Sequence, residues 1–169
     1  MNVVIVSDTH IKSRAAALPA WVEEAIRAAD HVIHAGDFDS RPAYEEIEAM
    51  SAELTAVGGN MDRALGLPAV ACVDLGGVRF VVAHGDSDES GDNERYEARL
   101  IEIVEANAAD RPTVGVGGHT HRVLDTHRNG YRLLNPGSAT GAWPAQEATL
   151  MHATADSGAI SIDLRRGGE

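Results

Sequence analysis

Val3-Val4-Ile5-Val6, four β-branched residues in a row, runs directly into Ser7-Asp8-Thr9-His10. A segment suited to a buried strand therefore ends on groups that bind protons or metals. The same event recurs along the chain. The run His31 to Ala35 ends on Gly36-Asp37, Leu54 to Val57 on Gly58-Gly59-Asn60-Met61-Asp62, Val78 to Ala83 on His84-Gly85, and Thr113 to Val116 on Gly118-His119-Thr120-His121. Between these runs, Leu18 to Ala29, Arg41 to Met50 and Asn93 to Asn107 read as helices, with Pro19 suited to the first turn of its helix. Strands alternating with helices require an α/β architecture, and in such sheets the strand carboxyl ends form the ligand crevice.

The second half is richer in strands. Ala69 to Leu75 and Val78 to Ala83 flank Gly76-Gly77, Val123 to His127 and Tyr131 to Leu134 flank Asn129-Gly130, and Ala148 to Ala153 and Ile160 to Leu164 flank Asp156-Ser157-Gly158. These are hairpin signals. Two sheets packed together and covered by helices accommodate both halves. At 169 residues the expectation is one domain over the whole chain. No apolar run is long enough for a membrane span and no basic segment precedes Val3, so a cytoplasmic protein is expected. The single Cys72 reads as a small buried hydrophobe.

Acidic residues outnumber basic ones 26 to 14, Lys12 is the only lysine, and the net charge is -12. Such a surface disfavours non-specific nucleic-acid binding, which depends on cationic side chains at the phosphates. It fits a salt-rich cytoplasm as well as it fits a biased genome composition.

Carboxylate, imidazole and amide without thiolate form a ligand set suited to Mn, Fe, Ni or Zn. In extended backbone the i, i+2 spacing of Asp8 and His10, and of His119 and His121, puts each pair on one face. The glycines at 36, 59, 85 and 118 permit tight turns or close approach. Any one of these motifs is commonplace; five in order, all at strand ends, are not.

The joint pattern DxH, GD, GNxD, H-G and GHxH resembles that of the calcineurin-like metallophosphoesterases, from Asp8 to His121. Asn135-Pro136-Gly137-Ser138 resembles a turn of the small bacterial and archaeal phosphodiesterase subfamily. The resemblance implies an αββα sandwich of two mixed sheets flanked by helices. It also implies two divalent metal ions, Mn foremost with Ni, Fe or Zn as options. Asp8, His10 and His121 would hold the first ion, Asn60, His84 and His119 the second, and Asp37 would bridge them. Asp37, Asn60 and His119 are expected to take part in catalysis as well. The implied reaction is in-line attack of a bridging hydroxide on a small phosphate ester, a diester before a monoester. Self-association into homo-oligomers is a further implication, and a non-catalytic scaffold resembling the retromer subunit is the alternative.

Two positions depart from the wider pattern. Met61 stands where many members carry a histidine that assists the leaving group, and a thioether cannot deliver a proton at neutral pH. Ser40 stands where the wider pattern has an aspartate, and the neighbouring Asp39 reads as solvated. Asp62 reads as a support for its loop, Arg63 as a turn residue or a phosphate contact, and His34 as a strand histidine with a satisfied hydrogen bond. Trp21 and Trp143 read as packing residues.

Overall fold

The structure is a computed structural model and describes residues 1–86 and 92–167. Among the described residues, ten strands form two five-stranded sheets. In the first, β1 (Asn2–Val6), β2 (His31–His34) and β3 (Leu54–Ala56) run parallel, and β9 (Thr149–Asp156) and β10 (Ala159–Arg166) add antiparallel beside β1, giving the order β10-β9-β1-β2-β3. In the second, β5 (Val78–Ala83), β6 (Thr113–Val116) and β8 (Tyr131–Pro136) run parallel. Antiparallel β4 (Val70–Leu75) and β7 (Val123–Arg128) form its edges, giving β4-β5-β6-β8-β7. Both sheets are mixed, as expected.

The period-2 geometry of β1 explains the layering. Val3 and Ile5 point into a core shared with Phe80, Val82, Val114, Val116 and Leu134 of the second sheet. Val4 and Val6 point the other way, against Val22 and Ile26 of α1 (Ala20–Ala28) and Ala43 and Ile47 of α2 (Arg41–Met50). On the far side, Val81, Ala83 and Leu133 meet Tyr96, Leu100, Ile101 and Val104 of α3 (Asn93–Asn107). Helices, sheet, sheet, helix: the αββα sandwich follows from strands apolar on both faces. Among the described residues no helix is long and apolar enough to cross a membrane.

Four expectations need correction. Helix α1 starts at Ala20 with Pro19 as its N-cap residue, because a proline can precede the first turn without losing a hydrogen bond. Strand β8 continues through Asn135 and Pro136, which pair with Leu124 and Val123, so the Asn-Pro-Gly-Ser stretch is half strand and half turn. Cys72 is exposed, since on the edge strand β4 Ala71 and Val73 face the core between the sheets while Cys72 and Asp74 lie on the opposite face, where only Val70 reaches the cluster under α3. Trp143 is 79% exposed and packs into none of the cores, whereas Trp21, on α1, does pack against the core beneath α1 and α2.

These positions make opposite demands on stability. Phe80→Ala empties a fully buried site between the sheets and should cost about 3–5 kcal/mol. Trp143→Ala should stay within about 0.5 kcal/mol. Urea titration of both variants reads the contrast as a lowered midpoint for the first alone.

Candidate metal centre

The loops after β1, β2, β3, β5 and β6 meet at one edge of the sandwich. Asp8 N–H donates to Gly36 O (2.9 Å), His10 N–H to Asp37 O (3.1 Å), and Gly118 N–H to His84 O (3.1 Å). All seven candidate ligands come together there. Asp8, His10, Asp37, His84 and His121 are buried, while Asn60 and His119 are part-exposed and form the open side.

The convergence is not achieved by extended backbone. Asp8, His10, Asp37, His119 and His121 have φ of 51°, 44°, 62°, 68° and 56°. The left-handed region is unfavourable for residues with a Cβ, although Asp, Asn and His tolerate it best. Left-handed kinks, not the strand pleat, turn both members of each pair inward, and His119 and His121 meet different partners there, Asn60 and His10. Glycine is needed where loops nearly touch. A Cβ on Gly59 would collide with the Asp37 carboxylate, and one on Gly36, at φ 97°, would lie 2.7 Å from His84 Nδ1.

Three imidazoles are oriented alike. Nδ1–H of His84 donates to Ala35 O (2.7 Å), that of His121 to Ala142 O (2.8 Å), and that of His10 to the Asp39 carboxylate (2.8 Å). A carbonyl or carboxylate only accepts, so the proton sits on Nδ1 and Nε2 faces the centre. His10 Nε2 and His121 Nε2 are 3.0 Å apart, and His121 Nε2 is 3.3 Å from Asp8 Oδ1. Asp37 Oδ2 lies 3.5 Å from His10 Nε2 and 3.4 Å from His84 Nε2. Asn60 Oδ1 is 3.1 Å from both His84 Nε2 and His119 Nδ1. His119 thus points Nδ1 inward, unlike the other three.

Asp39 is not solvated. Its side chain is buried, accepts from His10 Nδ1–H, and takes the Ser13 hydroxyl as a second donor. Ser40 caps α2, its Oγ accepting from Ala43 N–H at 3.3 Å. Asp62 supports its loop as expected, and does more. Its carboxylate accepts from the N–H groups of Asp37 (2.6 Å), Phe38 (2.9 Å), Asp39 (2.8 Å) and Gly59 (3.0 Å). His34 Nδ1 accepts from Gly36 N–H at 3.1 Å, and burial pushes this imidazole down to about 3, so it is neutral. Asn135, which the sequence reading left as part of a turn, donates to Gly118 O (2.7 Å) and Tyr96 Oη (2.9 Å). Ser138 donates to Asp8 O (2.7 Å). The Asn-Pro-Gly-Ser stretch braces two ligand loops at once.

Burial alone would raise the Asp8 and Asp37 carboxyls. The His121 hydrogen bond and His84 charge hold Asp8 below its ordinary value, and the His84 hydrogen bond holds Asp37 down at about 2. Burial would likewise lower His84, but its bond to Asp37 and the Asp8 charge push it up to about 9. Two carboxylates thus lean on imidazolium for compensation. Asp8 Oδ2 nevertheless remains buried without any hydrogen-bond partner, an expensive condition for a carboxylate oxygen. The ligand atoms of Asp8, His10 and His121 lie within 4.8 Å of one another, and so do those of Asp8, Asp37 and His84. Asp37, Asp39 and Asp62 form a third such group, but the Asp62 oxygens are already taken by backbone N–H groups. The first two groups, sharing Asp8 with its orphan oxygen, fit divalent cations.

Comparison with known proteins agrees with this geometry. The chain is 34% identical over 142 residues to a probable metallophosphoesterase of Methanothermobacter thermautotrophicus, covering 83% of this chain and 78% of that one. It is 33% identical over 141 residues to a probable metallophosphoesterase of Methanocaldococcus jannaschii, covering 83% and 69%. A crystal structure of a single mutant of Vps29 from Entamoeba histolytica superposes with a TM-score of 0.77 at 22% identity, over 98% of this chain and 99% of that one, and so shares the fold. The family model for the calcineurin-like phosphoesterase superfamily domain matches residues 1–158, and the chain belongs to that superfamily.

Proposed function

We propose that the protein hydrolyses phosphodiesters at a centre of two divalent cations, with manganese the leading candidate. Asp8, His10 and His121 would hold one cation, Asn60, His84 and His119 the other, with Asp37 between them. The observation that carries this reading is the buried, partnerless Asp8 Oδ2 among imidazoles whose Nδ1–H groups are tied back so that Nε2 faces inward. When bound, such cations supply a hydroxide nucleophile near neutral pH and neutralise charge on the phosphoryl oxygens.

The chain's own groups set the selectivity. Two formal negative charges, from Asp8 and Asp37, face two dications, which leaves a positive site for an anionic ester. The Asp39 and Asp62 carboxylates are occupied by His10 and by backbone N–H groups and so are spoken for. Met61 donates its backbone N–H to Asp37 Oδ1 (3.0 Å) while its side chain is exposed. With no proton donor there, esters with good leaving groups are favoured, and an aryl diester is the natural first substrate. Vps29 shares the fold, and a scaffold is the competing reading; the complete donor set favours the enzyme.

Incubation with Mn2+ should give faster hydrolysis of bis(p-nitrophenyl) phosphate than of p-nitrophenyl phosphate. Inactivity on both with Mn, Ni, Fe and Zn would favour the scaffold. Asp37→Ala should lose metal, read by elemental analysis, and at least about 100-fold in rate; full metal content with retained turnover would overturn the bridging role. Asp62→Asn keeps every proposed ligand but presents an N–H2 group to backbone donors. It should weaken metal affinity about 10–100-fold and lower stability by about 1–3 kcal/mol.

His84 gives a pH signature. Its folded value of about 9 exceeds the ordinary 6.5, so its contribution to the stability of the metal-free protein is fully present below pH 6.5 and is lost as pH rises through about 9. Cation binding at pH 7 must therefore expel a proton from this group. Calorimetry in two buffers of different ionisation enthalpy should show proton release at pH 7 and a smaller release at pH 10.

A further inference from the structure

On the open side of Asn60 and His84 the centre widens into a cavity of about 450 Å3, within the range of ligand clefts, ~300–1,000 Å3. Leu67 and Ile103 supply apolar wall, and Arg63 and Arg99 line the same cavity. Arg63 opens the short 3-10 turn directly after Asp62, so the carboxylate that fixes the ligand loop also fixes where this guanidinium begins. Arg99 lies four residues before Ile103 on α3, and residues at that spacing share a helix face.

The arginines of this chain are mostly engaged. Among the described residues, ten have an ion pair or a hydrogen bond. Arg63, Arg99 and Arg165 have neither, and two of these three line the cavity that opens beside Asn60 and His84. In a chain of net charge -12, partners for a guanidinium are abundant, so two unpaired ones facing a common space stand out. The exposed Asp86 also lines the cavity, so among the described residues the exposed charges there are one negative against two positive. Asp62 reaches the wall too, but its oxygens are saturated by N–H groups.

We propose that this cavity binds the part of the substrate beyond the scissile phosphate, and that Arg63 and Arg99 select an ester group bearing a second anion, phosphate or carboxylate. The proposal rests on the phosphoesterase reading for the position of the first phosphate. A guanidinium recognises either oxyanion through paired N–H donors. Among the described residues the lining beyond His84 is aliphatic and offers no aromatic face for stacking a base, so the group between the two anions is expected to be aliphatic. Because both arginines are solvent-accessible, each should contribute a moderate preference.

The test compares propyl phosphate with propane-1,3-diol bisphosphate as ligands of the Mn2+-loaded protein, by calorimetry and by inhibition of aryl diester hydrolysis. The wild type should bind the bisphosphate at least about tenfold more tightly. Arg63→Ala and Arg99→Ala should each reduce that ratio about threefold, and the double variant should bring it near one, whereas Arg165→Ala, which removes the same charge elsewhere, should leave it unchanged. Taking the ratio within each variant cancels effects common to both ligands, including chelation of free metal. Equal binding of the two ligands by the wild type, or a ratio that survives the double substitution, would overturn the proposal. Calorimetric selectivity that vanishes in the double variant without any diester hydrolysis would uphold the anion subsite and reject the hydrolytic reading; hydrolysis without selectivity would do the reverse.

Discussion

Asp62 offers two carboxylate oxygens to four backbone N–H groups, three from the loop after β2 and one from the loop after β3. Much of the site follows from that arrangement. Tying down Asp37, Phe38 and Asp39 holds the left-handed turns at Asp37 and Asp39, which aim one carboxylate at the centre and the other at His10. Tying down Gly59 fixes the residue before Asn60 and keeps the two loops close enough that a side chain at 59 could not be accommodated. A chain segment full of backbone donors and poor in acceptors needs an anion to sit among them, and here the anion is a side chain of the protein itself.

Around that anchor the centre is an exchange of burdens. Buried carboxylates are costly and close imidazoles repel when protonated. Placed together, each relieves the other only in part: His84 takes up a proton that burial would otherwise deny it, and Asp37 keeps a charge that burial would otherwise suppress. The imidazoles are prevented from relaxing toward better partners because Ala35 O, Ala142 O and Asp39 already hold their other nitrogens. Backbone strain at five of the seven donors is sustained by the rigid, doubly buried strands that deliver them.

The architecture was legible in the sequence because strands apolar on both faces and helices apolar on one admit few layerings, and element borders differ from the reading by only a few residues. The donor positions were legible because Gly, Asp, Asn and His recur at strand ends. The reasons for their convergence were not. Period-2 logic applies within strands and fails in the kinked loops beyond them, where left-handed backbone rather than the pleat turns Asp8, His10, His119 and His121 inward. Asp39 looked like any acidic residue beside a turn, because its partner His10 is 29 positions away. Cys72 and Trp143 were assigned to cores from residue type alone, although an edge strand and a surface loop bury one side or none.

The donors are divided between the two sheets. Asp8, His10, Asp37 and Asn60 hang from β1, β2 and β3, while His84, His119 and His121 hang from β5 and β6. The centre is therefore a seam, and its tolerance is that of the sandwich interface: a slip of one sheet over the other by the width of a methyl group would part donors that now lie within hydrogen-bonding reach. Residues such as Phe80, Leu134 and Met151, which never approach the centre's open side, act as the gauge that sets its spacing, and the chemistry of the rim inherits its precision from hydrocarbon in the middle.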